Sequence, residues 1–176
     1  IPAPVQAASN ADELEQSAHL AYRAKDYVRA QLLYTRIPGA TGRLGEGASA
    51  YRRKDYAYAA HQFTAALLEA TMPQQRADAL FNLGNSEFML SRYAAAAEAY
   101  QGVLNYRAGD KKTLGNIDLA SSRLAATRKV KQNNQGILGR RGNQVGGKLG
   151  EDIGDKPVAI EETKDQRRFM TQEETE

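Results

Sequence analysis

The 176-residue chain contains no cysteine, no tryptophan and only two histidines, His19 and His61. Without cysteine the chain cannot form disulfides, thiolate metal sites or a cysteine nucleophile, and two histidines cannot form a three-histidine metal site. The mean hydropathy is −0.61, and no apolar run reaches the length of a transmembrane helix. These absences exclude several classes of metalloprotein and membrane-spanning protein, although 176 residues still suffice for a core without covalent staples.

Charge is distributed unevenly along the chain. Residues 1–118 carry 13 basic and 12 acidic residues, whereas residues 119–150 carry seven basic and no acidic residues. Residues 151–176 carry nine acidic and four basic residues. The formal net charge of +3 therefore combines a near-neutral region, a basic region and an acidic tail.

Aromatic residues and glycines mark the domain boundaries. All nine tyrosines lie at or before Tyr106, and seven glycines fall between Gly136 and Gly154. A glycine-rich segment without aromatics buries too little apolar surface to offset its ordering entropy. The pattern predicts a flexible segment at 1–10, a folded domain with a capping helix at 11–132, and a largely disordered glycine-rich linker and acidic tail at 133–176.

The first residues carry a processing signal. The chain starts at Ile1, and Val5-Gln6-Ala7 has the small-x-small form of a signal-peptidase site. The segment is interpreted as the remnant of a secretory signal or as a spacer next to a membrane. The alternative is an arbitrary chain boundary before an Ala/Pro-rich stretch.

An internal repeat predicts the fold. Residues 21–30 and 50–59 share Ala-Tyr-Arg, Lys-Asp-Tyr and a final alanine at a spacing of 29 residues. A weaker copy at 87–96 follows 37 residues later. The period resembles that of a helix-turn-helix solenoid, at about 34 residues per unit.

Each copy is consistent with two antiparallel helices. The Lys-Asp or Ser-Arg pair forms the turn, and Tyr27, Tyr56 and Tyr93 open the second helices. An alanine three residues later permits close helix approach, and a bulky residue four further on shares its face. We expect Pro38-Gly39 and Pro73 to end the second helices of the first two units, and Asp110 to cap the next helix.

The residues of the three units match the tetratricopeptide-repeat (TPR) pattern. The third unit shows the pattern most clearly, in Leu80, Leu83-Gly84, Tyr93, Ala96 and Tyr100. The chain is therefore predicted to form an all-α TPR helix-turn-helix solenoid of three repeats plus a capping helix. Because TPR is a generic scaffold, the pattern specifies the fold more than the function.

A closer family resemblance covers residues 12–132. The first two repeats are joined by a short second helix, the third contains the run Leu80–Asn85, and a helix beginning near Asn116 ends in a polar run. The arrangement resembles the TPR region of bacterial aerotolerance-type (Bat) proteins. That resemblance implies a periplasmic or envelope complex with a von Willebrand A domain protein and MoxR-type ATPases. A general TPR adaptor or co-chaperone, in the cytoplasm, is the alternative.

In a TPR superhelix the first helices line a concave groove, which binds a peptide or protein. An aromatic ladder flanked by guanidinium and amide groups suits such a ligand. The alternative is that these rings only pack between helices. Asn82 and Asn116 also match positions that carboxylate-clamping TPR co-chaperones use, but the accompanying basic set is incomplete. The residues predicted to line the groove are His19, Tyr22, Arg23, Tyr51, Arg52, Asn82, Asn85, Phe88, Met89, Lys112, Asn116 and Arg123.

Enzymatic chemistry is not expected. Residues 142–149 approach a P-loop, but Leu149 replaces the Ser/Thr that would hold Mg²⁺, and no apolar strand precedes the run. His61 is interpreted as a surface or packing residue. The sequence thus predicts no cofactor, no metal and no catalytic residue.

The basic stretch 123–148 has three interpretations. It is a solvated helix and linker, or it binds an anionic membrane surface or nucleic acid, or it contacts the acidic tail. No aromatic interleaves its charges, so base stacking is not supported and nucleic-acid binding is not expected. The tail itself contains Phe169-Met170, and docking of residues 160–172 in the groove of the same or a neighbouring molecule would give self-association.

Overall fold

The computed structural model describes the backbone of residues 4–142 and the side chains of residues 10–133. Within this range the chain forms seven helices and no strand. The helices are α1 (Pro4–Arg23), α2 (Tyr27–Tyr34), α3 (Gly39–Arg52), α4 (Tyr56–Glu69), α5 (Pro73–Met89), α6 (Tyr93–Val103) and α7 (Lys111–Gly142).

The helix bounds differ from the predicted domain bounds at both ends. Helix α1 begins at Pro4, before the predicted start at residue 11, and α7 continues to Gly142, beyond the predicted end at residue 132. The chain divides into two units, Ile1–Ser121 and Ser122–Glu176. Residues 143–176 lie outside the described residues. They include most of the run that approaches a P-loop and the whole of the predicted acidic tail.

The three hairpin turns share one backbone geometry. Lys25, Lys54 and Ser91 adopt left-handed backbone conformations, with φ of 62°, 66° and 59°. Such a residue reverses the chain after the first helix, and the next amide closes the turn onto the last helical turn. The predicted turn pairs and the tyrosines that open α2, α4 and α6 are confirmed.

Small residues let the two helices of each hairpin approach closely. Ala30, Ala59 and Ala96 are completely buried, as predicted for the residue three positions after the opening tyrosine. Phe63 and Tyr100 pack on Gly47 and Gly84, where an added Cβ would lie 2.8 Å and 2.5 Å from the facing ring. The core is therefore built from alanines and glycines on one helix and a large ring on the other.

The prolines begin helices rather than end them. Pro38 precedes the first residue of α3, and Pro73 is the first residue of α5. Helices α2 and α4 have already ended at Tyr34 and Glu69. The expectation that the prolines terminate the second helices is corrected accordingly, because a proline at the first helical position loses no hydrogen bond.

The odd-numbered helices form one layer of the first unit. Helix α1 contacts α3, and α3 contacts α5, while α2 and α4 each pack against the odd-numbered helix on either side. At the start of α7, the Thr113, Asn116 and Ala120 side chains are buried, and the Asp110 carboxylate caps the helix as predicted, accepting from the Lys112 amide at 3.3 Å. No helix in the described part of the chain is long and apolar enough to span a membrane.

Candidate functional site

The predicted site residues all lie on odd-numbered helices. Helix α1 carries His19, Tyr22 and Arg23, α3 carries Tyr51 and Arg52, α5 carries Asn82, Asn85, Phe88 and Met89, and α7 carries Lys112, Asn116 and Arg123. We call the surface formed by α1, α3, α5 and residues 111–121 of α7 the odd-helix face.

The rings of the predicted aromatic ladder contact the opening tyrosine of the second helix in their own hairpin. Tyr22 meets Tyr27 edge to face, with ring centroids 5.4 Å apart and planes at 66°. Tyr51 meets Tyr56 at 5.2 Å and 65° in the same way. Such pairs contribute about 0.5–1.5 kcal/mol beyond the apolar area they bury. The rings on the first helices therefore help to hold the two helices of each hairpin together next to the turn.

The third copy of this pair is the most enclosed. Phe88 meets Tyr93 at 5.2 Å and 66°, and the Phe88 side chain is only 6% exposed. This burial contradicts the predicted exposure of Phe88 to a ligand, because its ring is already covered by the hairpin. Tyr22 and Tyr51 are half-buried, so each retains an accessible edge.

A side-chain link joins the first two hairpins at Tyr22. Arg52 Nε donates a hydrogen bond to the Tyr22 hydroxyl at 3.0 Å, and the guanidinium carbon lies 5.9 Å from the Tyr22 ring centroid. Burial raises the pKa of Tyr51, and the nearby Tyr56 raises it further, so that phenol stays neutral. Two of the predicted residues are thus brought together across the α1–α3 boundary.

A buried polar cluster lies between the third hairpin and the start of α7. The Tyr100 hydroxyl donates to Asn85 Oδ1 at 2.8 Å, and both side chains are buried. Burial raises the pKa of Tyr100, the nearby Tyr51 raises it further, and a hydrogen-bonding interaction with the Asn116 side chain opposes that rise. Asn116 is 5% exposed, and among the described residues its Nδ2 has no hydrogen-bond partner of normal geometry.

A cationic edge adjoins this cluster. Lys112 lies one helical turn before Asn116, and its Nζ is 5.4 Å from the centroid of the Phe81 ring. Arg107 forms an ion pair with Asp78, and the Asn82 amide donates to the Asp78 carbonyl at 2.9 Å. Lys112 and Asn116 are therefore brought together, whereas Asn82 is occupied by its own helix.

The remaining predicted residues have fewer contacts. His19 and Arg23 are exposed on α1, and Met89 is half-buried at the end of α5. Arg123 belongs to the second unit, where its carbonyl accepts from the Thr127 hydroxyl at 2.9 Å. The first unit thus presents two candidate subsites, one around Tyr22 and Arg52 and one around Lys112 and Asn116.

Comparison with known proteins now bears on the fold. The chain aligns with the crystal structure of the Sgt2 TPR domain from Aspergillus fumigatus with a TM-score of 0.57 and 21% sequence identity. The alignment covers 90% of this chain and 94% of the Sgt2 chain. Three repeated hairpins followed by a further helix, together with this match, decide the architecture. The fold is a TPR solenoid. No family model and no curated protein matches the chain.

The odd-helix face of the TPR solenoid carries hydrogen-bonding and cationic groups. The exposed Arg23 and the half-buried Tyr22 and Arg52 belong to this face, and such groups can hold the backbone and carboxylate oxygens of a peptide. Among residues with described side chains, no group of three His, Asp or Glu residues is placed to hold a metal ion.

Sequence reasoning did not assign the Tyr100 hydroxyl a role. The signal was present, because the second repeat has Phe63 at the position where the third has Tyr100. A hydroxyl added to a core position requires a buried partner. That partner is Asn85, one turn from Asn82 on the same helix.

A second polar network was also not anticipated. Glu46 is 2% exposed, accepts from the Tyr58 hydroxyl and lies 3.7 Å from Arg43 Nη1. The hydrogen bond to Glu46 raises the pKa of Tyr58. Arg43 Nε also reaches Glu69 at 3.2 Å, which ties α3 to the end of α4. This network stabilises the second hairpin and is not part of the candidate site.

Proposed function

We propose that the TPR solenoid is a non-enzymatic scaffold that binds a peptide segment of a protein partner on its odd-helix face. The observation that carries the proposal is the buried Asn116 amide beside Asn85 and Tyr100, whose Nδ2 has no hydrogen-bond partner of normal geometry among the described residues. A buried donor without a partner costs about 1–3 kcal/mol. A carbonyl or carboxylate oxygen of a bound peptide would satisfy this donor, with Lys112 one turn away to hold a negative charge.

The first subsite would hold the same peptide further along. Arg23 is exposed at the end of α1, next in the sequence to the half-buried Tyr22, whose hydroxyl accepts from Arg52. Guanidinium groups bind carboxylates through charge-assisted hydrogen bonds. The chemistry of the face therefore favours a partner segment with acidic or carboxyl-terminal groups.

We further propose that the partner belongs to a bacterial envelope complex of the aerotolerance type, such as a von Willebrand A domain protein. The support is the resemblance of residues 12–132 to the TPR region of Bat proteins, together with the small-x-small site at Val5–Ala7. A general adaptor or co-chaperone in the cytoplasm is the competing proposal. Fractionation of bacterial cells that express the natural gene distinguishes them, because a cytoplasmic location would contradict the envelope proposal.

The test of the Asn116 subsite begins with peptides selected from a random display library on the full chain. Asn116→Leu removes the amide donor and keeps the branched shape and the number of side-chain heavy atoms. We expect titration calorimetry to show at least about tenfold weaker peptide binding, equivalent to about 1.4 kcal/mol. Thermal stability should be maintained, since a buried unpaired amide is lost. The control is Asn105→Leu in the exposed turn after α6, and equal affinities for both variants would overturn the subsite.

The test of the arginine subsite uses the same selected peptides. Arg23→Ser combined with Arg52→Gln should weaken binding without lowering helicity in circular dichroism. The matched control, Arg29→Ser with Arg36→Gln, removes two exposed positive charges from α2 and from the turn that follows it. Undiminished affinity in the Arg23/Arg52 variant would show that the peptide does not use this part of the face.

A further inference from the structure

The second half of α7 is a helix of one charge sign. Residues 122–142 carry six basic residues and no acidic residue, and the described side chains of 128–133 are all exposed. In the described part of the chain no carboxylate lies within ion-pair distance of Arg128, Lys129 or Lys131, whereas the first unit pairs arginines with carboxylates, as in Arg43–Glu69. Like charges three or four residues apart destabilise a helix. We call residues 123–131 the basic helix segment.

The chain supplies the opposite charge a short distance further on. Residues 151–176 carry nine acidic and four basic residues, a net charge of −5. Eight residues separate them from the end of α7 at Gly142, and eight residues reach at most about 26–29 Å when extended. The helix rises about 28 Å from Arg123 to Gly142, because 19 residue steps separate them at 1.5 Å per step. The covalent connection is therefore long enough to return residue 151 and those after it to the basic helix segment.

Other anionic occupants are less well matched. Residues 122–150 contain no aromatic side chain on which bases could stack. Val130, at 58% exposure, is the one large apolar side chain that is exposed among described residues 122–133, so this part of α7 offers no apolar stripe to a membrane interface. A tethered segment, in contrast, acts at a millimolar effective concentration, which favours it over free ligands of similar charge.

We propose that the basic helix segment is the docking surface for the chain's own acidic segment, residues 151–176. The contact neutralises the repulsion along α7 and occupies the cationic surface. An acidic partner that binds α7 must then displace the acidic segment, so the segment acts as a built-in competitor. This inference is independent of peptide binding on the odd-helix face, because both elements belong to residues 122–176.

The absence of cysteine allows a direct distance measurement on the full chain. Cysteines introduced by Ser122→Cys and Thr171→Cys accept a donor and an acceptor dye. At about 20 mM NaCl charges interact over more than 10 Å, whereas at about 0.5 M they are screened within a few ångströms. We expect a high transfer efficiency at low salt that falls at high salt and that does not change on dilution of the protein.

Two charge variants of the labelled chain identify the surface. Arg128→Gln, Lys129→Gln and Lys131→Gln together should lower the low-salt efficiency to the high-salt value. Removal of three exposed positive charges elsewhere, by Arg29→Gln, Arg36→Gln and Arg76→Gln, should leave it as in the parent chain. Neutralisation of the tail by Glu161→Gln, Glu162→Gln and Asp165→Asn should reproduce the first result. Circular dichroism checks that each variant keeps its helicity.

Three outcomes would overturn the proposal. The first is an efficiency that does not depend on salt or that is equal in both triple variants. The second is an efficiency that falls on dilution, which would indicate docking between two molecules. The third is salt-sensitive binding of phosphatidylglycerol vesicles or of a single-stranded oligonucleotide that needs the three α7 charges and is as strong with the acidic segment intact as with it neutralised.

Discussion

At the scale of single residues, glycine and large rings determine how closely the helices approach. Gly84 faces the Tyr100 ring and Gly47 faces Phe63, at distances that leave no room for a methyl group. Tyr100 combines this packing with a hydrogen bond to Asn85. One side chain thus serves both the core of the third repeat and the polar cluster of the candidate site.

The first prediction concerns these glycines. In Gly84→Ala the new Cβ would lie 2.5 Å from Tyr100 Cε1, so overpacking should destabilise the fold by about 1–3 kcal/mol. Gly115 lies in α7 with no heavy atom within 4 Å of the corresponding Cβ position. Gly115→Ala should therefore stabilise the protein by about 0.5–1 kcal/mol through helix propensity. Urea denaturation measures both, and two changes of the same sign would contradict the packing argument.

The second prediction concerns alkaline pH. Burial raises the pKa of Tyr51 and of Tyr100 above the unfolded value of about 10. Folding therefore favours the neutral phenols, so this stability is complete below pH about 10 and is lost as pH rises toward the folded values. The midpoint of thermal unfolding should fall between pH 9 and about 11. Tyr100→Phe should reduce that fall, while Tyr106→Phe at a 40% exposed position serves as control.

At the scale of elements, the turns between the two helices of each hairpin, which we call hinges, have similar backbone angles but differ in helix capping. Asp26 and Asp55 precede α2 and α4, and their carboxylates accept from the Arg29 and Tyr58 amides at 3.2 Å. Arg92 precedes α6 with similar angles, φ −88° and ψ 62°, but makes no side-chain cap. The third hinge thus lacks one hydrogen bond that the first two have.

The third prediction supplies this missing cap. Arg92→Asn should stabilise the protein by about 1 kcal/mol, because asparagine accepts from the backbone at a helix N-cap. The Arg92–Glu87 pair that is lost contributes less, because its N–O distance is 3.4 Å and the Arg92 side chain is 61% exposed. Asp55→Ala, which removes an existing cap, should lower stability by a similar amount. A lower unfolding midpoint for Arg92→Asn would show that the two hinge geometries are not equivalent.

The repeat pattern predicted the elements because it reports on local geometry. The tyrosines that open α2, α4 and α6, the buried alanines and the short α2 all follow from residue type and spacing. The helix ends were predicted less well, since Pro38 and Pro73 fit either the end of one helix or the start of the next.

The candidate site was predictable only in part. Sequence spacing placed the residues on the correct helices, but it could not distinguish an exposed ring from one covered by its own hinge, as at Phe88. The Tyr100–Asn85 hydrogen bond and the unpartnered Asn116 amide depend on how α5, α6 and α7 meet. Such contacts between distant residues leave no periodic signal in the sequence.

At the scale of the whole molecule, the first two hairpins differ in the length of their second helix and in the residues of their cores. The first hairpin has the eight-residue α2 and a cluster dominated by alanines with Tyr34. The second adds Phe63 with Leu44, Tyr51 and Leu83 packed against its alanines. Helices shorter than about 12 residues depend on packing for their stability, so the eight-residue α2 depends on its contacts with α1 and α3.

The fourth prediction is a gradient of hydrogen-exchange protection. Amides of α2 should exchange faster than those of α4, because opening the eight-residue α2 breaks fewer helical hydrogen bonds than opening the 14-residue α4. Mass spectrometry of exchanged peptides from the full chain measures this directly. Equal protection of α2 and α4 would indicate that the first unit opens only as a whole.

The repeated hinge also determines where the solenoid can yield. Within each hairpin, the left-handed turn residue, the edge-to-face ring pair and the buried alanine recur in all three copies. Between hairpins, long polar side chains form hydrogen bonds, namely Arg52 to Tyr22, Arg53 to Gln31 and Gln75 to Thr41. We expect each hairpin to move as a rigid unit and the hydrogen bonds between hairpins to permit small rotations of one hairpin against the next. Such rotations would change the curvature of the odd-helix face when a ligand binds.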